Sequence, residues 1–173
     1  MADNSHMSAI GQHMMFRAKD DRVILKTSTH RRQFSRVLLA HGEEFGLFAF
    51  SHADTHGHAG ISCSRAAAGK FARRVLSALT QTIPVDGGFA PARFKDIDDQ
   101  RHLDRLFDYI LNQQNHHGAF VDAYHDASNL PDLLGLRVTG AYTAQTVRAL
   151  LPRGATASDA VGKIAVHPVF TFW

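Results

Sequence analysis

The chain holds a single cysteine, Cys63, so no internal disulfide can staple it. That usage fits a reducing, cytoplasmic setting. Beside Cys63 the only nearby basic residue is Arg65, so the thiol reads as a small buried hydrophobe rather than a nucleophile. No apolar run approaches the ~20 residues that a membrane-spanning helix needs, so no membrane association is expected. Residues 1–12 are polar and lack a basic stretch followed by an apolar one, so no secretory signal is expected. Asn4-Ser-His-Met7 resembles a tag and carries no fold information. There is no glycine-rich phosphate loop, no internal repeat and no low-complexity block. Nor is there a strong excess of one charge. Nineteen Lys and Arg stand against sixteen Asp and Glu, a net +3, which is compatible with a polyanionic partner without demanding one.

Histidine is abundant, at twelve in 173 residues. Two of these lie one residue apart in Phe50-Ser-His-Ala-Asp-Thr-His-Gly-His-Ala-Gly60. Residues i and i+2 of a strand point to one face, so on an extended chain His56 and His58 project side by side, a workable pair of ligands for one cation.

The surrounding pattern alternates strand-like and helix-like segments. Residues 1–20 read as an irregular lead-in. Val23–Thr27 reads as the first strand, and Thr29 as the cap of a helix that runs through Glu44 and stops at Gly46. Leu47–Phe50 and His56–Ser62 read as a hairpin turned by Asp54 and Thr55. Ser64 caps an amphipathic helix over Arg65–Thr82, with Ala68, Phe71, Val75, Leu76 and Leu79 in one stripe. Ala92-Arg-Phe-Lys95 reads as a fourth strand. Asp98 or Asp99 caps a last helix whose buried stripe is Leu103, Leu106, Phe107, Ile110 and Leu111. This order predicts an α+β sandwich with helices on one face of a mainly antiparallel, four- to five-stranded sheet. Residues 21–124 form the expected catalytic domain. Residues 125–173, with short helices at Ala144–Leu151 and near Val161–Val166, form a C-terminal extension.

The last helix also has a polar line. His102, Arg105, Tyr109, Gln113 and His116 recur at steps of three, four or seven. Tyr109 is an aromatic residue off the apolar stripe, one turn before Gln113. Two same-face histidines and one amide oxygen can hold a divalent cation and leave positions open for a substrate. A tyrosine hydroxyl one turn from the third ligand stands where it can attack a phosphorus polarised by that cation.

On these residues the chain resembles the HUH single-tyrosine transposases, in their insertion-sequence and REP-associated branches. The resemblance spans roughly residues 23–120. It rests on His56-Gly57-His58, on Arg93-Phe-Lys95 leading into the last helix, and on Tyr109-Ile-Leu-Asn-Gln113 within it. It implies a ferredoxin-like fold, a homodimer, an Mg²⁺ or Mn²⁺ ion, and single-stranded or hairpin DNA as substrate. By this resemblance Tyr109 is the nucleophile, and His56, His58 and Gln113 are the metal ligands. The sequence departs from the family at Gly57, where a hydrophobic residue is usual, and at Ala53-Asp-Thr55, where Met-Pro-Asn is common. Gln113-Gln114 stands where the REP-associated branch has Asn-Pro, which is nearer the insertion-sequence branch.

Arg31, Arg32, Arg73, Arg74, Arg93 and Lys95 are candidate contacts to DNA phosphates, each read against a plain surface charge. Two other functional classes stay open. One is a domesticated, non-catalytic regulator that binds DNA hairpins. The other is a zinc protein, for which Gln113 would be an unusual ligand and Cys63 stands alone.

Overall fold

The computed structural model describes residues 9–111 together with Gln113, Ser128 and Asn129. Its elements are β1 (Gly11–Arg17), α1 (Ser28–Phe45), β2 (Leu47–His52), β3 (His56–Ile61), α2 (Arg65–Thr82), β4 (Arg93–Ile97) and α3 (Gln100–Leu111). The four strands form one antiparallel sheet in the order β2-β3-β1-β4. A β-α-β-β-α-β chain with its first and third strands in the middle is the expected ferredoxin-like α+β arrangement. The histidine strand is therefore internal, hydrogen-bonded to β1 on one side and β2 on the other.

The two faces of the sheet separate by period-2 alternation. Met14 and Phe16 of β1 and Ala59 and Ile61 of β3 turn to α1 and α2. There they join Phe34, Leu38, Phe71, Val75 and Leu79 in the main core. Each large side chain buried there contributes roughly 1.5–3 kcal/mol of hydrophobic stabilisation. His13 on β1 and His56 and His58 on β3 alternate with those residues and so belong to the opposite face. On that face α3 packs Leu103, Leu106 and Ile110 against Phe48, Ala49 and Ile97.

The expectation that the helices share one face thus holds for α1 and α2 and needs correction for α3. The reason is the second apolar set on the sheet: Phe48, Ala49 and Ile97 need a cover of their own, and the α3 stripe provides it. The stripe is as expected in its buried members, with Phe107 partly buried. The Leu111 side chain lies outside the described residues.

Two further expectations are corrected near the start of the chain. Residues 11–17, read as irregular lead-in, are a central strand. Val23–Thr27, read as the first strand, belongs to no sheet. Ile24 and Leu25 are nevertheless buried, and both of their backbone N–H groups donate to Asp54 O, at 2.8 and 3.0 Å. Their apolar character reports a buried connection rather than a strand. The cap of α1 is Thr27, whose Oγ1 accepts from His30 N at 3.1 Å, and not Thr29. Gly46 closes α1 in the left-handed conformation at φ 67°, as expected of a glycine there. The bounds of α2 and its Ser64 cap are as expected.

Asn129 is tied to the β2 edge. Phe50 N donates to Asn129 Oδ1 at 2.9 Å, Asn129 Nδ2 donates to Phe48 O at 3.2 Å, and Asn129 N donates to Phe50 O at 3.1 Å. Ser128 forms a bridge with Ser51. Ser128 and Asn129, within the expected extension, therefore lie against the β2 edge of the sheet. The two short helices expected beyond residue 140 lie outside the described residues.

Candidate active site

β3 presents His56 and His58 to the face that α3 crosses. Their rings are perpendicular, with centroids 4.9 Å apart. Gly57 between them faces the other way, into the α1 side. A Cβ built there would lie 2.5 Å from Phe34 Cε1, so the Phe34 ring occupies the space that a larger residue would need. This accounts for glycine at a position where the resembled family has a hydrophobic side chain.

Tyr109 stands on α3 above His58, edge-on, with ring centroids 5.3 Å apart. It is 38% exposed, whereas His58 is 4% exposed. Gln113, helical and one turn after Tyr109, is fully buried, and its Nε2 donates to His56 Nε2 at 3.0 Å. Tyr109, His56, His58 and Gln113 are thus brought together at one place on the sheet.

Both histidines are held through Nδ1. Thr55 Oγ1 lies 2.9 Å from His56 Nδ1, and His13 Nε2 lies 2.9 Å from His58 Nδ1. A cation would be met by the Nε2 atoms, and by the Gln113 amide oxygen once the amide, whose Nε2 faces His56 Nε2 at 3.0 Å here, is turned over. Two imidazoles and an amide oxygen suit a divalent ion that also keeps positions for substrate oxygens. Among the described residues no three His, Cys, Asp or Glu side chains gather as a cation site, so such a set depends on Gln113 as third donor.

The sequence does not single out His13, because its segment lacks a clear strand pattern although it forms β1. Reading His13, Met15 and Arg17 as alternating with Met14 and Phe16 is the signal that places it on the histidine face. Burial, with Lys95 and His102 nearby, lowers the His13 pKa to about 4, so the ring is neutral at physiological pH. Burial pushes the Cys63 thiol up, as expected of a residue that packs rather than reacts.

Beside Tyr109 a cleft of about 510 Å³ runs between α3 and the β1–β4 pair. It is lined by His13, Lys95, Asp98, His102, Arg105, Leu106 and Tyr109. The polar line of α3 expected from the sequence faces into it through His102, Arg105 and Tyr109. His102 is held at the helix start, where its N donates to Asp99 Oδ1 at 2.6 Å and its ring lies 3.9 Å from Asp98 Oδ2.

The six basic candidates divide by face. Lys95 lines the cleft, and Arg93 pairs with Met15 on the same side of β4. Arg31, Arg32, Arg73 and Arg74 lie on α1 and α2, away from it. Arg31 Nη2 donates to Asp54 Oδ1 at 2.8 Å, which braces the turn before His56, and Arg74 is paired with Glu44. His52 is also remote, since its Nε2 contacts Ser35 Oγ at 3.1 Å on the α1 side. His116 and His117 lie outside the described residues. Among the described residues no helix is long and apolar enough to cross a membrane.

No protein-family model and no curated protein matches the sequence. Among solved structures, the fold is similar to that of a REP-associated tyrosine transposase bound to a REP hairpin. The TM-score is 0.56 at 14% identity, over 80% of this chain and 90% of that one, a likeness of fold.

Proposed function

We propose that this protein cleaves and rejoins single-stranded or hairpin DNA through a 5′-phosphotyrosine intermediate, as an HUH-type tyrosine transposase. One observation carries the reading: Tyr109 stands edge-on over His58, one turn before a buried Gln113 whose amide meets His56. The fold's likeness to a REP-associated tyrosine transposase bound to a REP hairpin supports it.

In this reading His56, His58 and Gln113 hold Mg²⁺ or Mn²⁺. When bound, the ion supplies Lewis-acid polarisation of the scissile phosphate. The Tyr109 hydroxyl attacks the phosphorus. An Oη–P bond forms, the P–O3′ bond breaks, and the tyrosine proton passes through solvent to the departing 3′-oxygen. The energy of the phosphodiester is kept in the phosphotyrosine, so re-attack by another 3′-hydroxyl rejoins strands without ATP. Lys95 and Arg105 meet strand phosphates in the cleft beside Tyr109. The working unit is proposed as a homodimer in the cytoplasm. The competing reading, a hairpin-binding regulator without catalysis, keeps the fold and the basic cleft but not the chemistry.

The test is incubation of the purified protein with labelled hairpin and single-stranded DNAs and Mn²⁺, followed by a denaturing gel. Wild type is expected to give a denaturant-resistant protein–DNA adduct, and Tyr109→Phe none, with equal DNA binding by both. Equal binding with no adduct from wild type would move the assignment to the regulator.

A further inference from the structure

Metal-ligating histidines in proteins are generally oriented by the partner of their second ring nitrogen, and that partner decides which nitrogen carries the proton. For His56 the choice is made by two neighbours. Gln113 Nε2 is a donor, so His56 Nε2 accepts, and the ring proton sits on Nδ1 and is donated to Thr55 Oγ1. For His58 the neighbour at Nδ1 is His13.

His13 reaches His58 along a diagonal of the sheet. The register pairs His13 with Gly60 and Met15 with His58. Gly60 puts no side chain between them, and the space above it is filled by Phe48, whose ring a Cβ on Gly60 would meet at 2.5 Å. The His13 ring leans towards His58, with ring centroids 5.1 Å apart and the two nitrogens 2.9 Å apart. A single proton lies between nitrogens at that distance. If His58 supplies it, His58 Nε2 keeps a lone pair and can bind a cation. If His13 supplies it, His58 must carry its own proton on Nε2 and cannot bind a cation there.

We propose that His13 is the positioning residue of the cation site, its Nε2 accepting the Nδ1–H of His58 and so holding His58 in the tautomer that ligates through Nε2. The inference rests on the reading of His56, His58 and Gln113 as cation ligands. It adds a second strand, β1, to a site otherwise built from β3 and α3. An imidazole here does what a carboxylate or a backbone carbonyl does behind most metal-bound histidines.

The tautomer can be read directly from long-range ¹H–¹⁵N spectra of ¹⁵N-histidine-labelled full-length protein, with the His58 signals assigned by loss in His58→Gln. Mn²⁺ affinity is measured beside it by calorimetry, for wild type, His13→Phe and His13→Gln. His13→Phe keeps an aromatic ring against His58 and Tyr109 but removes the acceptor. His13→Gln keeps an acceptor. We expect His58 protonated on Nδ1 in the metal-free wild type and a mixed tautomer in His13→Phe. Mn²⁺ binding should be about 10–100-fold weaker in His13→Phe, with recovery in His13→Gln. A wild-type His58 protonated on Nε2 overturns the inference without recourse to any variant. Unchanged Mn²⁺ affinity in a folded His13→Phe also overturns it. A wild type with the expected tautomer that binds no Mn²⁺ overturns the cation reading of the site, and the role of His13 toward a cation falls with it.

Discussion

Gly57 and Phe34 compete for one volume: the glycine between the two histidines has no side chain because the Phe34 ring, on α1, already fills its place. Restoring the bulk usual in the resembled family, as Gly57→Val, should overpack the α1 side of β3 and destabilise the fold by about 1–3 kcal/mol. Phe34→Ala alone should cost about 3–5 kcal/mol. Combined, the two should cost clearly less than their sum, since each relieves the other. Urea denaturation of the four proteins measures the coupling. Strict additivity would show that the two sites do not share space.

A pH dependence follows from His13. Its pKa is lowered from 6.5 to about 4 by burial and by Lys95 and His102. The unfolded chain therefore takes up this proton before the folded one does. The folded state loses stability as pH falls from about 6.5 to about 4, by up to about 3 kcal/mol, with no effect above that window. In His13→Gln this component of the slope should vanish. Unfolding in EDTA across pH 4–7 is the measurement, and identical profiles for the two proteins would refute the assignment.

The division of basic residues by face predicts unequal effects on DNA binding. Lys95→Ala and Arg105→Ala should each weaken single-stranded DNA binding and reduce the slope of log K against log salt by about 0.7. Arg31→Ala and Arg74→Ala remove guanidiniums engaged with Asp54 and Glu44 and should leave the slope unchanged. Fluorescence anisotropy over a salt series decides this. Equal slopes for all four variants would place the strand elsewhere than in the cleft.

Asn129 is expected to matter for stability rather than for chemistry. Asn129→Ala strips the buried Phe50 N–H of its acceptor and Phe48 O of a side-chain donor. Leaving such groups unmet costs about 1–3 kcal/mol. Faster hydrogen exchange at the Phe50 amide, with cleavage chemistry retained, is the expected outcome, and unchanged exchange would count against this edge contact.

The sequence was informative where one signal had one meaning. Ser64 before the Ala68–Leu79 stripe marked the start of α2, and Gly46 marked the end of α1. Spacing alone placed His56 beside His58 and Tyr109 one turn from Gln113, and the family resemblance implied that the two pairs meet. It misled where one signal had two sources. Ile24 and Leu25 are as apolar as a strand, yet they are buried as a connection that hydrogen-bonds to Asp54. Three hydroxyl residues in a row, Thr27, Ser28 and Thr29, leave the cap position open, and backbone conformation selects the first. In β1 the outward positions hold His13, Met15 and Arg17, a mixture that hides the alternation. Of its two polar members, His13 meets His58 across the sheet. That the helices occupy both faces was not legible, since it depends on which side of the sheet Phe48 and Ile97 leave uncovered.

The internal position of β3 has a mechanical consequence. His56 and His58 sit on a strand laced to neighbours along both edges, so their separation is set by two backbone ladders. Tyr109 rides on a helix whose main attachment to the sheet is an apolar seam of Leu103, Leu106 and Ile110. Apolar contacts have no preferred direction, whereas ladder hydrogen bonds do. Tyr109 thus has the more compliant mount and the histidines the stiffer one. The proposed reaction, in which a covalently held strand is passed from one end to another, would call for this pairing of a fixed seat with a carrier that can tilt.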